Sequence, residues 1–195
     1  MLLTLVRILF GVDMALGFFN YVALSWLAGQ RFNVFFLLIS ILSTHFPDAD
    51  MIPFLMLRKR YRLACHWIVG HHPLLVLLFV IAVSFTAAKT WVPDRVGYTV
   101  VLTTVGVLLH FLHDGTSELG FPWLSPFSLK RFRFRIRKPI IVPQAETDQW
   151  AKNWKAHERS TADEIYDRAE PINHAHRLLW GAAMLLLAIF FIKSQ

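Results

Sequence analysis

Aspartate and histidine recur in this chain in short runs, at spacings that would let several side chains meet on one ion. The first run is Thr44-His45-Phe46-Pro47-Asp48-Ala49-Asp50. A proline disfavours helix at the residue before it, so the chain should loosen here. In an extended turn Asp48 and Asp50 would point to the same side and could share or bridge cations. The second run, His66-Trp67-Ile68-Val69-Gly70-His71-His72, places three histidines within seven residues, directly before an apolar stretch opening at Pro73. A plainer account of it is an interfacial belt anchored by Trp67. The third run, His110-Phe111-Leu112-His113-Asp114, is the most specific. His110 and Asp114 stand at i and i+4, on one helical face with Cβ atoms about 6 Å apart. An imidazole nitrogen and a carboxylate oxygen could then reach one ion or two neighbouring ones. His113 is either a second-rank neighbour or faces outward. The competing account is a His–Asp pair that merely satisfies buried polarity.

A turn-rich loop follows, from Gly115 to Phe127, with Gly120, Pro122 and Pro126 and several small hydroxyls. It could form a lid or a wall of the site. Asn173-His174-Ala175-His176-Arg177 opens the last apolar stretch, and interfacial polar residues are the better reading there. With Cys65 as the single cysteine there is no internal disulfide and no thiolate cluster. Imidazole and carboxylate ligands suit zinc first, with manganese or iron as alternatives. One or two ions fit the number of ligands.

The elements that would position these runs are apolar helices. Of the 195 residues 55% are hydrophobic, and the mean hydropathy is +0.46. A soluble domain of this size has too little interior to hide that much apolar surface, so the excess should face lipid. Five apolar stretches are candidate helices: about Leu5–Ala28, Asn33–Phe46, Pro73–Ala88, Val96–His113 and Ile172–Ile192. A spanning helix needs roughly 20 residues. The first, fourth and fifth reach or approach that length, and the second and third are short. The expected fold is all-α, a polytopic bundle of about four to five membrane-associated helices. Residues 1–143 form the bundle with its motifs, 144–171 a polar interfacial segment and 172–195 a C-terminal membrane helix. No cleavable signal is expected, because a basic n-region and a small-residue cleavage site are lacking, and the first stretch reads as a retained anchor.

The formal net charge is +7, concentrated at Arg58, Lys59, Arg60 and Arg62 and again between Lys130 and Lys138. If the five stretches alternate, both basic clusters fall on one side, with only Arg31, Lys89 and Arg95 opposite. The positive-inside rule then puts the N-terminus and the polar motifs on the cytoplasmic face. From Lys130 to Lys138 cations alternate with apolar residues, the period of an extended ribbon. At the headgroup boundary it would attract anionic lipid at about 1 kcal/mol per charge. Aromatic residues between the arginines also suit nucleic acid, but the ribbon directly follows a membrane helix, so membrane lipid is the expected partner and no nucleic acid is.

Pro47-Asp48-Ala49-Asp50, His72-Pro73-Leu74-Leu75 and His110-x-x-x-Asp114 with Gly120, Pro122 and Pro126 together resemble the membrane-bound metal-dependent hydrolase family. This is the bacterial YdjM-like group, described as LexA-regulated and distantly similar to zinc-dependent phospholipase C and the S1/P1 nucleases. Order and spacing match over roughly Ile41 to Phe127. The resemblance implies metal ligation by Asp48, Asp50, His72, His110 and Asp114, with His66 contributing, in the bacterial cytoplasmic membrane. It also has departures. An apparent one-residue insertion leaves His71 and His72 competing for one role, and Pro73-Leu74-Leu75 favours His72. The family's Trp-Pro is Ser125-Pro126 here, and its threonine falls at Ser117. Where the family often has an N-terminal histidine, this chain offers Asp13 inside an apolar stretch. Such an acid is costly unless it pairs, with a cation or with Arg7.

In the hydrolase reading, the ions activate water and Asp48 or Asp50 acts as general base. Arg58, Arg60 or Arg131 would clamp a phosphate-bearing or lipid-like substrate. The main rival is a non-catalytic membrane protein with a structural or transport-related metal. A transporter should carry polar residues near the bilayer midplane, yet the apolar runs between Pro73 and Leu109 are nearly clean. A lipid-binding scaffold built on the Arg/Phe ribbon is the third reading.

Overall fold

The computed structural model describes residues 11–51, 72–116, 121–125, 127, 132–135, 138–141 and 174–193. Its helices are α1 (Val12–Leu27), α2 (Val34–His45), α3 (Pro73–Trp91), α4 (Val96–Gly115) and α5 (His174–Lys193). They coincide closely with the five apolar stretches. Local sequence explains their ends. Asn33 caps α2, its side-chain oxygen accepting the backbone N–H groups of Phe35 and Phe36. Pro73 opens α3 at a position where its missing N–H costs nothing. Gly29, at φ +60°, makes the tight turn out of α1.

Two expectations about length and shape need correction. The third stretch is not short: α3 runs on to Trp91, because Lys89 sits in a last turn where a cation complements the helix dipole. And the chain after α2 is not extended. Phe46–Met51 forms a 3-10 helix, so the period-two reason for Asp48 and Asp50 sharing a side does not apply.

The bundle is antiparallel. At one end, the turn after α1 meets the turn after α3, where an Arg95 Nη1 donates to the side-chain oxygen of Gln30. Ser25 and Tyr98 share a hydroxyl hydrogen bond of 2.6 Å at the same end. α5 runs parallel to α1: Phe190 meets Tyr21 edge-on at 5.8 Å, and Lys193 lies over Trp26 at 5.4 Å. The first turn of α1, the 3-10 helix, the start of α3 and the last turns of α4 are therefore left together at the opposite end.

Small residues let α1, α2 and α4 approach closely, as in membrane helix packing. A Cβ on Gly17 would lie 2.7 Å from the Cα of Ile41, and one on Gly106 would run into the Ser43 hydroxyl. One turn further in, Asn20 ties all three helices together: its Nδ2 donates to Ser40 Oγ at 2.9 Å and to the Leu102 carbonyl at 2.8 Å. Phe18, Tyr21, Phe36, Leu37, Leu102 and Phe190 fill the apolar core around this knot. A second cluster, Val76, Val80, Val107, Phe111 and Phe121, joins α3 to α4 and to the loop beyond it.

The outer faces are apolar. Leu38 and Leu42 on α2, and Leu75, Leu78 and Phe79 on α3, are all exposed. Among the described helices, α3 and the stretch Pro93–Gly115 that contains α4 are long and apolar enough to cross a membrane, yet only 22% and 33% of those spans is buried within the protein.

Outside the helices, β1 (Phe132–Arg135) and β2 (Lys138–Ile141) pair antiparallel. The period-two pattern does form strand, but not as one ribbon. Arg135 opposes Lys138, so the chain has already turned back and Lys138 begins the returning strand. The bundle itself is all-helical. The segment 144–171 lies outside the described residues.

Candidate metal centre

α1 places Asp13 in its first turn, where the helix dipole favours an acid. Gly17 is one turn further along, so the close α1–α2 crossing holds this carboxylate in position. Asp48 comes from the first turn of the 3-10 helix, four residues after Thr44, whose hydroxyl donates back to the Ile41 carbonyl. α4 brings His110 and Asp114, one turn beyond its own close-contact glycine, Gly106.

These side chains converge on the ring of His110, which is 1% exposed and forms the floor of the cluster. Its Nδ1 lies 3.2 Å from Asp13 Oδ1. On the opposite edge, Nε2 lies 3.6 Å from Asp48 Oδ1 and 3.4 Å from Asp114 Oδ2. The i, i+4 spacing thus does bring Asp114 onto the His110 ring. His113 faces the cluster rather than outward, its Nδ1 standing 3.6 Å from Asp13 Oδ1. The carboxylates form a rim, 16–22% exposed, so the cluster opens on one side. Among the described residues, Asp13, Asp48 and His110 are the group whose donor atoms all lie within 4.8 Å of one another.

His72 is engaged elsewhere. Its Nδ1 is hydrogen-bonded to the Ser125 hydroxyl, and Ser125 is buried. This contact pins the loop beyond α4 to the start of α3. The same loop is fixed twice more. Phe121 packs on Phe111 at 4.9 Å, and its backbone exchanges hydrogen bonds with Phe132 at 2.9 and 3.0 Å. The described part of the loop is therefore a wall, braced by the hairpin.

Asp50 lies in the 3-10 helix, with its side chain outside the described residues. His66, His71, Arg58, Arg60 and Arg131 also fall outside them, as do Arg7 and the side chains of His174 and His176. The residue missing from the expected ligand set is Asp13. Its signal was an acid within an apolar stretch, which marks burial without naming the partner.

Residues 11–193 match the family described as YdjM inner membrane protein. The chain belongs to that family. As a member of the YdjM inner membrane protein family it is a membrane protein, and the exposed apolar face of α3, long enough to cross a membrane, suits contact with lipid. No curated protein and no solved structure matches the chain.

Proposed function

We propose that this protein is a multi-pass, membrane-embedded metal-dependent hydrolase acting on a phosphate-bearing or lipid-like substrate at the cytoplasmic face. The observation that carries the reading is the arrangement around His110. Three carboxylates, Asp13, Asp48 and Asp114, meet one buried imidazole within 3.2–3.6 Å. Among the described residues, three carboxylates and two imidazoles meet here. Oxygen and nitrogen donors gathered at a partly desolvated membrane-protein site are well suited to a cation. The donors are nitrogen and oxygen only, which fits zinc, manganese or iron.

His110, Asp48 and Asp13 would hold the ion, with Asp114, Asp50 and His66, and His72 through the nitrogen not bonded to Ser125, as further ligands of one or two ions. A divalent ion in this place supplies Lewis acidity and brings the pKa of bound water toward neutrality. The chain's own residues do the rest. The partly exposed Asp48 carboxylate accepts a proton from attacking water, with Asp50 as its alternate. The buried His110 keeps the floor of the site dry. Arg58, Arg60 and Arg131 would bind the anionic group of the substrate. If the five apolar stretches alternate across the membrane, both basic clusters would fall on the site's side, which supports a cytoplasmic orientation.

Transport is the less favoured reading. Three hydroxyls of α3 and α4 turn back onto their own helices: Thr99, Thr103 and Ser84 donate to the carbonyls of Arg95, Thr99 and Ile81. The deciding experiment is purification from membranes in detergent, elemental analysis, and an assay of phosphodiester hydrolysis. Bound metal and activity, both lost in His110→Ala, are expected. A metal-free native protein, or full activity in His110→Ala, would overturn the reading.

A further inference from the structure

His72 and Ser125 meet at the start of α3, where His72 Nδ1 is hydrogen-bonded to the Ser125 hydroxyl. A hydroxyl can stand on either side of such a bond. If it donates to Nδ1, the proton of the neutral ring sits on Nε2, and that nitrogen has no lone pair for an ion. If it accepts from Nδ1–H, Nε2 keeps its lone pair. We propose that Ser125 is a positioning residue that acts through His72: its oxygen accepts the Nδ1 proton, fixes the ring and leaves Nε2 as the nitrogen that takes an ion.

Both partners hang from one apolar cluster. His72 caps the start of α3, and its carbonyl accepts the Val76 N–H at 2.9 Å. Val76 packs in the cluster that also holds Phe111 of α4 and Phe121 of the loop. Ser125 follows four residues after Phe121, and its backbone N–H donates to the Pro122 carbonyl at 2.9 Å. It is 1% exposed, so bulk water does not compete for its hydroxyl. Phe121 packs at 4.9 Å on Phe111, the residue next to His110 in the chain. The hydroxyl is thus delivered to His72 by a frame fastened beside the metal centre. A histidine that gives one nitrogen to a metal ordinarily donates its other N–H to a fixed acceptor, which sets tautomer, ring orientation and basicity.

This inference rests on the metal reading, with His72 among the ligands, and cobalt(II) titration of the full-length protein in detergent tests each step. Wild type should bind cobalt with the visible absorption of a low-coordinate N/O site, and His72→Ala should bind it more weakly. Ser125→Ala should lower the affinity about 10–100-fold, the usual effect of removing an outer partner of a ligand. Ser125→Thr, which keeps the hydroxyl, should restore most of it. Ser125→Val has the shape of the threonine variant without its hydroxyl, and it serves if the alanine variant does not fold. In a His72→Ala background Ser125→Ala should cost nothing further, because the ring it serves is gone. Unchanged affinity in folded Ser125→Ala would overturn the positioning role and leave the metal site standing. An equal further loss in the His72→Ala background would overturn it as well, by making the effect one of loop packing. Wild-type affinity in His72→Ala would remove His72 from the ligands and the inference with it, while Asp13, Asp48 and His110 remained the site. Failure of wild type to bind cobalt would overturn both readings.

Discussion

His110 Nδ1 stands 3.2 Å from Asp13 Oδ1, linking the first turn of the first helix to the end of the fourth. The pair closes the bundle at the end where Asp48, His72 and Asp114 also lie. It also joins segments far apart in sequence, so its integrity reports on the assembly of the whole site.

Removing the imidazole should expose the charge problem it manages. In metal-free protein, His110→Ala removes the imidazole that Asp13, Asp48 and Asp114 share. Breaking a buried ionic arrangement by deleting one partner costs about 3–5 kcal/mol. Detergent unfolding of metal-free His110→Ala should fall by an amount of that order, and added divalent metal should restore less stability than it gives wild type. Equal stability of the two metal-free proteins would contradict the arrangement.

The helix crossings predict an asymmetry between two glycines. A methyl group at position 17 meets the backbone of Ile41 at 2.7 Å, and a backbone cannot rotate away. Gly17→Ala should therefore cost about 1–3 kcal/mol, typical of overpacking. At position 106 the obstacle is chiefly the Ser43 hydroxyl. Gly106→Ala should be partly rescued by Ser43→Ala, whereas Gly17→Ala should not be. Thermal melts of the single and double variants would decide this.

Asn20 and Ser40 should be coupled. Asn20 donates to Ser40, which in turn donates to the Gly17 carbonyl at 2.8 Å. Interhelical hydrogen bonds in membrane proteins average about 0.6 kcal/mol and reach about 1.7. A double-mutant cycle of Asn20→Ala and Ser40→Ala should return a coupling in that range. A value indistinguishable from zero would remove the knot from the account of the fold.

The His72–Ser125 contact predicts a local effect. Ser125→Ala should change global stability by only about 1 kcal/mol, the net worth of one hydrogen bond. It should nonetheless speed proteolysis within the loop beyond α4. Ser125→Thr, which keeps the hydroxyl, should resist that proteolysis better. Equal cleavage of all three proteins would show that Phe121 alone holds the loop.

Neutralising Arg133, Arg135 and Arg137 separates the hydrolase from the lipid scaffold. If the cations serve only to hold the hairpin at anionic headgroups, the triple glutamine variant should bind anionic vesicles more weakly and keep hydrolysis in neutral detergent. Complete loss of function in that variant, with function retained in His110→Ala, would favour the scaffold.

Much of the architecture is readable from hydropathy because each helix is a separate apolar run, and alternation alone brings Asp48, His72 and His110 to one end. What could not be read depends on side-chain partners. Asp13 stood out as an acid among apolar residues, but Arg7 was as plausible a partner as a histidine on another helix. His113 had two readings because i+3 lies at the edge of the face occupied by i and i+4. The end of α3 was misplaced because Lys89 and Thr90 look like a boundary. In fact the Thr90 hydroxyl donates to the Thr86 carbonyl and stays within the helix. Asn20, Ser40 and Ser43 gave no signal at all, since small polar residues in apolar runs acquire meaning only when the neighbouring helix is in place.

The contribution of α1 to the site has a consequence for biosynthesis. Asp13 is made with α1, while both histidines that meet it come with α4. Until then a carboxylate rides on a hydrophobic segment without its eventual counterparts. An acid on an apolar helix is costly until it pairs, and the arrival of α4 relieves it. Capture of Asp13 by His110 and His113 would then act as a checkpoint, distinguishing a completed bundle from a stalled one before any ion is acquired.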